Sequence, residues 1–87
     1  MKKAEARKII ENMGLPAPQE KAARRTIARA TASDEIEVLK KDSGHLVIAR
    51  SRPGRFGKQV LEDTIDPDGT KEVVQKAFDV RINDLCG

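Results

Sequence analysis

The chain of 87 residues is predicted to be an α+β domain, with two N-terminal helices packed on one face of a four-stranded antiparallel β-meander. Three observations carry that prediction. Apolar residues recur with helical spacing only in the first third of the chain, the period changes to two from Ile36 onward, and two turn signals, Lys41-Asp-Ser-Gly44 and Asp66-Pro-Asp-Gly69, punctuate the rest. The length allows one domain, 1–87. Its core must be small, because a chain this short buries only about 60% of the surface it exposes unfolded, and it has two Phe and neither Trp nor Tyr.

Ala6, Ile9, Ile10 and Met13 stand at i, i+3, i+4 and i+7, which predicts a helix over about 3–13. Gly14 supplies the left-handed residue that follows a helix end, and Pro16 and Pro18 stop its continuation. A second helix is expected over about 18–31, with Pro18 at its first position and Ala23, Ile27 and Ala30 as a thin stripe among Lys21, Arg24, Arg25 and Arg29. Thr31-Ala-Ser-Asp34 breaks it. Strands are expected over about 35–40, 45–51, 58–65 and 70–80. Gly44 is free to take positive φ in the first hairpin, and Pro67 and Gly69 fit positions i+1 and i+3 of a type I turn in the second. Arg52-Pro-Gly-Arg-Phe-Gly57 reads as a loop that displays Arg52, Arg55 and Phe56 at a tip.

With 38% hydrophobic and 36% charged residues, the composition excludes a membrane-embedded or disordered chain. No apolar run approaches the roughly 18 residues that span a bilayer, and Met1-Lys-Lys3 leads into charged residues rather than an apolar signal core. A cytoplasmic protein without membrane contact is therefore expected. Cys86 is the single cysteine, expected as a free surface thiol, so neither an internal disulfide nor a Cys/His zinc site can form. One His and the absence of glycine-rich phosphate motifs predict no metal and no cofactor.

Charge is unevenly placed. Residues 1–58 hold fourteen Lys/Arg against seven Asp/Glu (net +7), and residues 59–87 hold three against seven (net −4), which sums to the +3 of the whole chain. A basic half points to a polyanionic partner, RNA or another nucleic acid. Arg50, Arg52, Arg55 and Lys58 fall in a stretch without carboxylates, Phe56 among them suits stacking on an unpaired base, and Arg24, Arg25 and Arg29 extend the basic surface. A solvated hairpin tip is the competing reading of the same loop.

Acid–base chemistry near neutral pH points to His45. If Ser51 pairs Lys58, His45 stands opposite Thr64 and diagonal to Glu62; if Ile65 pairs Thr70, Gln75 stands opposite Val60. His45, Glu62, Thr64 and Gln75 then share one sheet face, a group suited to deprotonating an RNA 2′-hydroxyl, and Leu46, Ile48, Leu61, Ile65, Val74 and Phe78 occupy the face beneath the helices. A one-residue slip would scatter the group. His45 would also lie about 20 Å from Arg52 along the strand, at ~3.3 Å per residue, so the two would not touch one phosphate. A surface His without function is the competing reading.

The stretch Leu46-Val-Ile-Ala-Arg-Ser-Arg-Pro-Gly-Arg-Phe-Gly-Lys-Gln-Val-Leu-Glu62, followed by Asp66-Pro-Asp-Gly-Thr-Lys-Glu-Val-Val-Gln-Lys-Ala-Phe-Asp79, resembles the C-terminal toxin domains of bacterial polymorphic toxins of the Rhs and contact-dependent growth inhibition type. The resemblance covers Ile36 to Asp79 best. It implies an effector delivered into a competing bacterium's cytoplasm as part of a larger protein, commonly a nuclease acting on transfer or ribosomal RNA and neutralised by a cognate immunity protein. It assigns no catalytic residue, and the tail Val80 to Gly87 lies outside it. Two readings follow: a metal-independent ribonuclease with His45 and Glu62 as acid–base groups, and a non-catalytic module whose basic surface binds nucleic acid or an acidic protein.

Overall fold

The computed structural model describes the backbone of residues 1–54 and 57–78 and the side chains of residues 1–52 and 59–74. Arg55, Phe56, the end of the expected fourth strand and Cys86 lie outside the described residues, as do the side chains of Lys58, Gln75 and Phe78. The elements are α1 (Lys3–Asn12), α2 (Ala17–Ala28), β1 (Glu35–Lys40), β2 (Leu46–Gly54), β3 (Gly57–Ile65) and β4 (Lys71–Phe78). The strands form one antiparallel sheet in the order β1-β2-β3-β4. Two helices and a four-stranded meander are the expected architecture. Among the described residues, no helix is long and apolar enough to cross a membrane.

Gly14 follows α1 at φ +67, the left-handed conformation that a residue without Cβ adopts without cost. Ala6 and Ile10 are fully buried, while Ile9 at the edge of the stripe is exposed. Helix α2 begins one residue before Pro18 and stops at Ala28, three residues short of the expected end. Ala23, Ile27 and Ala30 join Ala6, Ile10, Leu15, Ile36, Leu46, Ile48 and Ile65 in one aliphatic core. Leu61 is only half-buried and stands outside that cluster.

The registers correct three expectations. Ser51 pairs Val60, not Lys58, because β2 and β3 continue through Pro53 and Gly54 until Gly54 pairs Gly57. Arg52, Pro53, Gly54 and Gly57, expected in a six-residue loop, thus belong to the strands. Strand β1 stops at Glu35 opposite Ser51, so β2 has an open edge at Pro53, where a missing N–H breaks no bond on that side. A shift of two keeps every β2 and β3 residue on its expected face. The shift between β3 and β4 is one residue: Ile65 pairs Lys71, not Thr70.

Turn chemistry explains that slip. Gly69 N–H donates to Asp66 O at 2.8 Å, and Gly69 has φ +91, so a type I turn is followed by a left-handed bulge residue in a three-residue loop. The Asp42-Ser-Gly44 loop is built alike, with Gly44 N–H donating to Lys41 O at 2.9 Å and φ +92. The bulge turns β4 over. Val74, expected in the core, pairs Glu62 and is 41% exposed on the far face, whereas Val73 and Lys71 move to the helix side. Helix α1 packs on β1, and α2 on β2 and β3. The helix layer stops short of β4, and Val73 remains 51% exposed beside it.

Candidate nucleic-acid interface

The gap between α2 and β4 is lined by cations. Ala22 and Arg25 of α2 and Arg29, which caps its C-terminus, stand at the i, i+3 and i+7 spacing that stacks side chains along a helix. Across the gap stand Gly69 and Lys71, and the groove between them encloses about 250 Å³. Among the described residues, no carboxylate lines it, and Arg25, Arg29 and Lys71 have no ion-pair partner. Arg24 points elsewhere, to Glu11 on α1 at 3.6 Å across an exposed surface.

Two contacts hold the groove's walls in place. Pro18 lies so close to Gly69 that a Cβ there would stand 3.0 Å from the Pro18 carbonyl oxygen. Gln19, fully buried, donates from Nε2 to the carbonyls of Gly44 and Ile65, both at 2.9 Å. The first turn of α2 is thereby tied to both hairpins. Lys71 was not among the expected binding residues, because a register without the bulge puts it on the opposite face. The signal for it was Gly69 itself, at the position where a three-residue loop needs a left-handed residue.

Arg50 and Arg52 are not displayed on a loop tip. They follow each other on the helix-side face of β2, each held by a buried carboxylate: Arg50 Nη2 to Asp63 Oδ2 at 3.4 Å, and Arg52 Nη2 to Asp34 Oδ2 at 3.0 Å. The Asp63 and Asp34 side chains are 0% and 1% exposed. Burial alone would raise the Asp34 carboxyl, but the Thr31 N–H at 3.0 Å and the Arg52 guanidinium outweigh it and hold it below the usual carboxylate range. Arg50, Arg52, Gln59, Val60 and Leu61 line a second, smaller cleft of about 110 Å³. Arg55 and Phe56 lie outside the described residues, and Lys58 is placed only by its backbone pairing with Pro53.

The expected acid–base group separates. His45 meets Asp66, with Nε2 to Oδ1 at 3.0 Å, and its Nδ1 lies 2.7 Å from Ser43 Oγ. Thr64 pairs Val47 and Glu62 pairs Ala49, which puts Glu62 four residues, roughly 13 Å, along β3 from Asp66. Gln75 pairs Leu61 rather than Val60, a register position on the opposite face. The imidazole is 41% exposed and stands between the two hairpin turns. Among the described residues, no three His, Cys, Asp or Glu side chains converge on a metal-sized site.

No protein-family model matches the chain, and neither a curated protein nor a solved structure matches it.

Proposed function

We propose that this protein binds single-stranded nucleic acid, RNA foremost, through the groove between α2 and β4. The observation that carries the reading is the lining of that groove: among the described residues, three cations from two sides and no carboxylate. These three cations converge on one cleft and have no ion-pair partner among the described residues, the arrangement that attracts phosphate. At about 250 Å³ the groove suits a phosphate and its sugar rather than a duplex. The toxin-domain resemblance favours RNA as the strand and a bacterial cytoplasm as the place of action, with an immunity protein as a further partner.

Binding of a labelled single-stranded RNA, followed by fluorescence anisotropy in EDTA at several salt concentrations, tests the reading. Three neutralised phosphates predict a slope of log K against log salt near −2, at about −0.7 per phosphate. Arg25→Ala, Arg29→Ala and Lys71→Ala should each make the slope shallower by about 0.7. Slopes unchanged in all three variants would place the contact elsewhere.

Ribonuclease activity is a second reading, favoured by where His45 stands. The row His45, Asp66, Thr70 adjoins the row Leu46, Ile65, Lys71, so the Cα positions of His45 and Lys71 lie about 10 Å apart at ~4.8 Å per strand, with the imidazole on the sheet face opposite Lys71. The imidazole is oriented by the Asp66 carboxylate at 3.0 Å, an arrangement suited to general acid–base work. His45→Ala should abolish cleavage of total bacterial RNA in EDTA while leaving binding intact. RNA that is bound but never cut by the native protein would reject catalysis and keep the binding module.

A further inference from the structure

We propose that the Arg50–Arg52 cleft holds a phosphate monoester, the terminal phosphate of a strand whose following nucleotides reach the α2–β4 groove. The inference rests on the nucleic-acid reading above and adds a specificity to it.

The cleft differs in kind from the groove. Its two guanidiniums are fixed from behind by Asp63 and Asp34, and neither carboxylate lines the cavity. Each Arg has five N–H donors, and its ion pair leaves most of them available. Arg50 Nε has no hydrogen-bond partner among the described residues although it is buried and its side chain is only 10% exposed, so a residue that lines the cleft carries an unused donor. Arg52, at 46% exposure, opens the site to solvent, and Gln59 adds an amide at the rim. Because the two carboxylates balance the two guanidiniums, oriented donors rather than net charge would hold the phosphate, through the paired N–H geometry that guanidinium offers to its oxygens. About 110 Å³ equals three or four waters at ~30 Å³ each. That is room for one phosphate group and not for a nucleobase.

The geometry of the sheet links the two sites. Both lie on the helix side, and Lys71 is paired with Ile65, four residues along β3 from Leu61 and six from Gln59. The separation is roughly 13 to 20 Å at ~3.3 Å per residue, which a stacked strand covers in about four to six nucleotides at ~3.4 Å each.

Internally labelled RNA oligonucleotides of four, six and eight nucleotides, each made with a 5′-phosphate, a 3′-phosphate or hydroxyls at both ends, test this by anisotropy in EDTA at fixed salt. A terminal phosphate on the six- and eight-nucleotide strands should raise affinity roughly tenfold, the scale of charge-assisted hydrogen bonds. Inorganic phosphate should compete away that increment alone. Gln59→Glu places a carboxylate at the rim without touching either ion pair and should remove the increment while hydroxyl-ended strands bind as before; Arg52→Lys should reduce it. Equal affinity for phosphorylated and hydroxyl-ended strands would overturn the cleft and leave the groove standing. Failure of every strand to bind would overturn the nucleic-acid reading itself.

Discussion

Gln19 shows how much a single side chain can carry in a domain this small. Its amide donates to two carbonyls that belong to different hairpins, the part-buried one of Gly44 and the buried one of Ile65, and truncation would remove both bonds. Gln19→Ala should therefore cost about 1–3 kcal/mol, from two lost hydrogen bonds, a large share of a total near ~0.1 kcal/mol per residue. Urea unfolding checks this, and a loss below about 1 kcal/mol would mean that water replaces the amide. Asp34 makes a prediction about pH. Its folded carboxyl titrates below the ordinary 3.8, so the unfolded chain takes up the proton first. The contribution of Asp34 is present above pH ~4 and is lost as pH falls through the folded value. Urea midpoints between pH 6 and pH 3 should fall more gently in Asp34→Asn than in the native protein, and equal slopes would show that Asp34 has no part in acid lability. None of the buried pairs was legible in the sequence. Arg50 and Arg52 read as solvent-facing because nothing local reveals that Asp34 and Asp63, 18 and 13 residues away, fold against them.

At the scale of elements, what was legible followed from period and turn chemistry. The aliphatic stripe of α1, Gly14 at its end, the change to period two at Ile36 and both turn glycines all stand where the sequence puts them. Registers were less accessible, since they depend on how many residues a turn consumes. Counting Gly69 as a bulge rather than as the last residue of a four-residue loop shifts β4 by one, which exchanges Val74 for Val73 and brings Lys71 to the groove. The hairpin is accordingly sensitive at that position. Gly69→Ala must place an L side chain at φ +91 with its Cβ 3.0 Å from the Pro18 carbonyl, and should lose about 2–3 kcal/mol. Thermal unfolding measures the loss, and RNA affinity should fall with it because the same contact sets the groove's width. A variant as stable as the native chain would show that α2 and the turn are not in firm contact.

For the whole molecule, the charge asymmetry first seen between chain halves becomes one between faces. Arg25, Arg29 and Lys71 collect on the helix side, while the register puts Glu35, Glu37, Glu62 and Glu72 on the other, around Leu39, Val47 and Val74. Glu35 is held there in ionised form by Lys2 and the terminal amine, which keep its carboxyl below the usual range. A polyanion is thus drawn to one side and repelled from the other. The most direct test is an NMR titration of the isotope-labelled protein with a short single-stranded RNA at moderate salt. Amide shifts should concentrate at Arg25, Arg29, Gly69 and Lys71, with Glu37, Leu39 and Val47 unmoved. Shifts confined to the Glu37–Leu39–Val47 face, or none at all, would contradict the account.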